Sequence, residues 1–226
     1  MTALSTRDTV PAPFVVAPTN RFDGDDGDWS TFALSAGTPP QSFRFLPATR
    51  GQEIWLPSTL GCDGILKDFD DCGDLRGANA FQGKPSRGFD YTASKSFEVA
   101  GNGIFQLSTE SYLYGTGNDM NAYYGYDNVS IAALQGYESA ALDSQTIAAF
   151  PSGNFWLGNV GLGTQPSTFT SGGEGHPSIL SSLSSSNFTT SLSYGYTAGQ
   201  AYGRLIKQPD RTACSDYFCS FAASAW

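Results

Sequence analysis

Apolar and polar positions alternate with a period of two along much of this chain, and glycine or proline closes most of the alternating runs. Trp29-Ser-Thr-Phe-Ala-Leu-Ser-Ala36 alternates large with small or polar residues, Gly37-Thr-Pro-Pro40 interrupts it, and Ser42-Phe-Arg-Phe-Leu46 resumes the same period. This predicts two strands joined by a turn. Gly103–Thr109, Ser111–Tyr114, Ala122–Ile131 and Thr189–Tyr196 are rich in aromatic and β-branched residues and flanked by glycine, so they predict further strands. Val10–Pro18 mixes proline with apolar residues and predicts an extended lead-in, either an edge strand or a loose segment. One helix is expected, between His176 and Asn187, with Pro177 in its first turn and Ile179, Leu180 and Leu183 on one face.

Short strands, frequent turns and a single short helix indicate an all-β sandwich or barrel. Composition agrees: 26 glycines, 12 prolines, 16 Phe, 11 Tyr and 4 Trp accompany only 15 % charged residues, against about 25 % in an average domain. The 226 residues suffice for one large or two small domains, and no linker or repeat divides them. Twelve basic against 21 acidic side chains give a net charge of -9, which repels phosphate and sets nucleic-acid binding aside. No apolar run is long enough for a membrane-spanning helix. Met1–Asn20 lacks the basic start and apolar stretch of a signal peptide, so a soluble chain without an export address is expected. Against this, Cys62, Cys72, Cys214 and Cys219, with sequons at Asn128 and Asn187, suit an oxidising, glycosylating compartment.

The usual catalytic and cofactor patterns do not fit. Counting from Asp23, the acidic run Asp23–Asp28 places Leu34 where an EF-hand needs its bidentate Glu, which favours a solvated acidic turn. His176 is the only histidine and no Gly-x-Ser-x-Gly elbow occurs, which disfavours a Ser-His-Asp enzyme and leaves His176 as a surface or helix-start residue. The cysteine spacings, nine intervening residues for Cys62 and Cys72 and four for Cys214 and Cys219, favour two local disulfides over a metal site. No phosphate-binding glycine loop is present, and no cofactor is expected.

Three separated segments carry a resemblance. The first is Ala36-Gly-Thr-Pro-Pro-Gln41 followed by Ser42-Phe-Arg-Phe-Leu-Pro-Ala-Thr-Arg-Gly-Gln-Glu-Ile-Trp-Leu-Pro57, with Cys62 shortly after. The second is Tyr114-Gly-Thr-Gly117 with Gly125-Tyr-Asp127 and Val129, and the third is Trp156-Leu-Gly-Asn-Val-Gly-Leu-Gly163 followed by the Pro177–Leu183 helix. In order and spacing they resemble the N-terminal lobe of the pepsin-like aspartic protease family over Phe22 to Tyr202. The resemblance implies an all-β fold, a single N-terminal-type lobe of the pepsin-like acid protease fold with one short helix. It implies an extended lead-in over 1–21, the lobe over 22–202 and a divergent tail over 203–226. Tyr114, Gly115, Thr116 and Gly117 would form the flap over a cleft, and Asn159, Val160 and Gly161 the strand that supports the catalytic loop.

The departure from the family is chemical. Active members pair two Asp-Thr/Ser-Gly loops whose carboxylates share a proton. Here the aligned loop reads Ala48, Thr49, Arg50, Gly51, and no Asp-Thr-Gly or Asp-Ser-Gly occurs elsewhere. The chain is most similar to fungal aspartic-protease-like proteins lacking the catalytic Asp, with Leu46-Pro-Ala-Thr-Arg-Gly51 as the degenerate loop. The resemblance and this departure together imply a pseudoprotease that binds extended peptide or glycan at the cell surface, while the charge, cysteine spacing and lack of a long apolar run leave no nucleic acid, metal or membrane segment expected. Arg50 would either favour an acidic partner or pair with Glu53. Two alternatives stay open: an active peptidase completed by dimerisation or a second lobe, and a truncated product without function.

Overall fold

The computed structural model describes residues 13–23, 29–49, 51–104, 121–136, 138–153, 155–167, 175–196 and 221–223. The described chain is mostly β, with a closed barrel and few helices. Strands β1 (Phe14–Val16) and β2 (Pro18–Asp23) precede the predicted pair, β3 (Trp29–Ala36) and β4 (Gln41–Ala48), which are antiparallel with Leu34 opposite Phe43. Gly37, at φ +90°, opens the turn between them, and the Thr38–Pro39 bond is cis. β5 (Ile54–Pro57) leads into a wide helical turn, Gly61–Ile65, and the short helix α1 (Cys72–Leu75). β6 (Glu98–Ile104), β7 (Asn121–Ile131), β8 (Ala140–Phe150), β9 (Gly158–Gly161), α2 (Ile179–Ser185), β10 (Gly195–Tyr196) and β11 (Phe221–Ala223) complete the order.

The ring runs β3-β4-β9-β5-β8-β7 and closes where β7 pairs back on β3, with Leu34 opposite Ile131 and Ala36 opposite Val129. β2 and β6 extend the sheet beyond the ring. A small separate sheet joins β1, β11 and β10, so residues near both ends of the chain pair with each other.

The period of two now has its physical meaning, because alternate residues point to one face of a strand. Phe32, Leu34 and Ala36 on β3, Phe43 and Phe45 on β4, and Ile54 and Leu56 on β5 belong to one core. Val129 and Ile131 of β7, Ile147 and Ala149 of β8, and Val160 of β9 join the same core. On the other face of β5 and β8, Trp55, Ala148 and Phe150 form a smaller cluster with Ala122. β5 and the half of β8 from Gln145 to Phe150 are therefore buried on both sides, whereas Ala141, Asp143 and Ser144 of β8 are exposed.

Several local features differ from expectation. α2 spans Ile179–Ser185, and Pro177 precedes it. The Ser181 N–H donates to the Ser178 side chain at 3.3 Å, so serine caps the helix and proline does not enter its first turn. Thr189–Tyr194 forms no strand, and only Gly195–Tyr196 pairs. β8 had no clear signal, since its alanines have low strand propensity. It is a strand because it pairs with both β7 and β5. Asp23 is not part of a solvated turn either, for it ends β2 and pairs with Arg44.

Candidate functional site

β4 and β5 follow each other in sequence but do not touch as neighbours, because β9 lies between them, parallel to β4 and antiparallel to β5. The chain from Ala48 to Ile54 must therefore arch over the end of β9. Backbone hydrogen bonds pin that arch from one side: Leu162 N–H donates to Ala48 O at 2.8 Å, Gly161 N–H to Glu53 O at 2.9 Å and Gly163 N–H to Gly51 O at 2.8 Å. Only glycine permits this approach. A Cβ on Gly161 would sit 2.5 Å from the Gly51 carbonyl carbon, and one on Gly163 would sit 2.6 Å from its oxygen. Gly51 itself takes φ +80°, a conformation that disfavours side chains.

The structure thus brings Ala48 and Gly51 together with Asn159, Val160 and Gly161. Ala48 lies opposite Gly161 in the parallel ladder, and Asn159 lies opposite both Leu46 and Trp55. Thr49 is exposed at the crest. Glu53 is half-buried, and its Oε2 accepts a hydrogen bond from the Gln52 N–H at 3.2 Å. This carboxylate acts as a turn cap, and the methyl group of Ala48 can neither hold nor move a proton. Among the described residues of the arch there is no carboxylate pair, so the arrangement offers backbone groups and a hydroxyl for binding but no acid-base couple.

Several expected site residues lie outside the described residues: Tyr114, Gly115, Thr116 and Gly117 of the flap, Arg50, and the pair Cys214 and Cys219. Gly125, Tyr126 and Asp127, which the resemblance places beside the flap, are described. Gly125 pairs with Val99 of β6, and a Cβ there would meet the Phe97 ring and, at 2.5 Å, the Glu98 carbonyl oxygen. Asp127 is buried, and its Oδ1 accepts from Ser96 Oγ at 2.6 Å and from the Asn128 N–H at 2.8 Å, while Oδ2 has no partner among the described residues. Tyr126 stacks on His176 with ring centroids 3.6 Å apart, so the single histidine is half-buried against an aromatic ring. Cys62 and Cys72 form a disulfide, and Asn128 and Asn187 are both exposed.

Two buried arginines carried no sequence signal. Arg44 stands between Phe43 and Phe45 on β4 and is 2 % exposed, yet it donates to both oxygens of Asp23 and to Asp74 and Asn79. Arg21 completes the cluster by gripping Asp74 at 3.0 and 3.1 Å, which holds that carboxyl below the usual range. Arg76 is fully buried with no carboxylate beside it among the described residues. Its Nη2 donates to Ser152 O and Phe155 O, its guanidinium lies 5.2 Å from the Phe150 ring centroid, and Nε and Nη1 have no hydrogen-bond partner among the described residues. Burial lowers its pKa to about 10.

No protein-family model matches the chain, and no curated protein matches it either.

Proposed function

We propose that this chain is an aspartic-peptidase-like lobe without catalytic activity, which binds an extended peptide or glycan outside the cell, as expected for the fungal proteins it resembles. The observation that carries this reading is Ala48. It sits at the end of β4, where the resemblance places the catalytic Asp, in an arch held against β9 as a catalytic loop would need to be. Aspartic catalysis requires two carboxylates sharing a proton. The one carboxylate found on the described part of the arch, Glu53, is turned back onto the Gln52 N–H.

The insertion of β9 between β4 and β5 and the closed barrel support the pepsin-like lobe. So does the placement of Gly161 beside the arch, where the resemblance expects an apolar-apolar-Gly strand threading beside the catalytic loop. The disulfide and the exposed Asn128 and Asn187 support a secretory location at or beyond the cell surface. An extended ligand would be held by backbone groups and aromatic side chains in the cleft.

The test has two arms on folded protein. Tiled extended peptides and oligosaccharides of chitin, β-glucan and mannan are titrated, and saturable binding of one class is expected. Absence of binding across both libraries overturns the ligand-binding reading. Casein and denatured haemoglobin are incubated with the protein from acidic to neutral pH, with no turnover expected. Pepstatin-sensitive cleavage would replace this reading with that of an active peptidase.

A further inference from the structure

Half of the exposed large apolar side chains among the described residues fall on one short stretch of chain, the others being Trp29, Val99, Leu192 and Tyr196. Leu60, Ile65, Phe69 and Leu75 are 44, 40, 46 and 43 % exposed, and all four fall on the segment that the Cys62–Cys72 disulfide closes and flanks. The segment is compact: Leu66 N–H donates to Gly61 O, Phe69 N–H to Leu66 O and Cys72 N–H to Phe69 O. Ile65 lies by Gly153, its Cγ2 3.8 Å from where a Cβ would stand, and Phe69 meets Trp156 edge-on at 5.9 Å. Ile65 and Phe69 thus stand as an exposed apolar ridge beside Gly153 and Trp156, with Leu60 and Leu75 just outside the Cys62–Cys72 pair on either side.

The rim of this ridge is acidic. Asp63, Asp68, Asp70, Asp71 and Asp74 are exposed on the same segment, against Lys67 as its exposed cation. Asp63 pairs with Arg87, and Asp74 with Arg21 and Arg44. Asp68, Asp70 and Asp71 make no ion pair among the described residues.

Contiguous exposed apolar surface marks a contact site when it is rimmed by polar groups. The charge selects the occupant. A second copy packed isologously would bring two acidic surfaces together, and an anionic membrane or a nucleic acid would be repelled. We propose that the ridge from Leu60 to Leu75 docks a basic amphipathic segment of a partner protein, whose apolar face covers Ile65 and Phe69 while its lysines or arginines meet Asp68, Asp70 and Asp71. The disulfide holds the ridge in shape before binding, which lowers the ordering cost. The ridge uses none of the residues of the Ala48–Glu53 arch, so it stands whether or not that arch binds ligand.

The probe is a fluorescent amphipathic helical peptide built from leucine and lysine, compared with a leucine–glutamate peptide and a serine–lysine peptide. Saturable binding of the leucine–lysine peptide alone is expected. Ile65→Ser with Phe69→Ser, and separately Asp68→Asn with Asp70→Asn and Asp71→Asn, should each weaken it roughly tenfold. All these positions are exposed, so folding should persist, as checked by circular dichroism. Val99→Ser, at an exposed apolar site on β6, should leave binding unchanged. Equal binding by all variants, or binding of the serine–lysine peptide with equal strength, overturns the proposal in favour of unspecific attraction. Concentration-dependent self-association abolished by the Ile65 and Phe69 substitutions overturns it in favour of a second copy, and uptake onto neutral lipid vesicles overturns it in favour of a membrane.

Discussion

Arg44 grips Asp23 through two parallel bonds, Nε to Oδ2 at 2.9 Å and Nη2 to Oδ1 at 3.1 Å, with the side chains only 2 and 10 % exposed. The pair ties β4 to the edge strand β2, and Asp74 and Asn79 satisfy the remaining guanidinium edge. Removing Asp23 leaves the buried guanidinium with only the half-exposed Asp74 as its counter-charge, at 3.1 Å, which costs more than losing both members of the pair. Asp23→Asn should therefore destabilise the fold by about 3 kcal/mol, and adding Arg44→Met should recover a large part of that loss. Urea denaturation of the two single variants and the double variant gives the coupling. A double variant no better than Asp23→Asn would show that the charge is not the cause.

Arg76 makes the opposite case. Among the described residues its guanidinium has two carbonyl acceptors and an aromatic face but no carboxylate, so its worth lies in packing and in anchoring the 152–155 loop. Arg76→Ala should cost about 3 kcal/mol by opening a cavity, whereas Arg76→Met, which fills the space without the desolvated charge, should cost about 1 kcal/mol. Thermal denaturation ranks them, and equal losses would mean that the carbonyl bonds dominate.

Gly161 tests the arch itself. Gly161→Ala places a methyl group 2.5 Å from the Gly51 carbonyl carbon, a backbone atom with little room to move. A loss of about 2 kcal/mol is expected, together with faster exchange of the Leu162 and Gly163 amides that donate to the arch. Ala48→Asp, by contrast, should fold and still fail to cleave casein at any pH, because one carboxylate is not a dyad. Turnover by this variant would revise the account of the arch.

The pH dependence has two limbs. Tyr91 stacks on Tyr123 at 4.5 Å, and burial, reinforced by the Tyr123 hydrogen bond, pushes its phenol up to about 12 from 10.0. The unfolded chain loses this proton first, so the contribution is present below pH 10 and is lost as pH rises through 12. Tyr91→Phe should flatten the alkaline decline in stability. Asp74 is held down chiefly by its bond from Arg21, so its contribution is present above its ordinary value of 3.8 and disappears as pH falls through the folded one. Because Asp74 is 53 % exposed, Asp74→Asn should soften the acid limb only slightly at ordinary ionic strength. Stability measured from acid to alkaline pH in both variants checks both signs.

Much of the barrel was legible because it rests on local pattern. The alternation from Trp29 to Ala36, the Gly37–Pro40 break and the run from Ala122 to Ile131 each found their strand. Phe32, Leu34, Phe43 and Phe45 declare their common face through spacing alone. The nearness of Cys62 and Cys72 likewise carried their pairing. β8 was missed because its alanines have low strand propensity and its half from Gln145 to Phe150 is buried on both faces and shows no alternation, so it exists only through its neighbours. The ridge at Ile65 and Phe69 was missed for a related reason, since nothing in a short apolar stretch tells core from surface.

Sequence by itself determined which residues favour strands, where glycine and proline break them, and that position 48 carries a methyl group, which can neither hold nor move a proton. Tertiary structure decided the rest: that β9 enters between β4 and β5, that Asp23 leaves the acidic run to neutralise Arg44, and that Arg76 lies buried without a countercharge among the described residues. The physical reason is range. Alternation and turn chemistry act over a few residues, whereas parallel pairing, barrel closure and the dielectric around a buried charge depend on segments that meet only once the chain has folded.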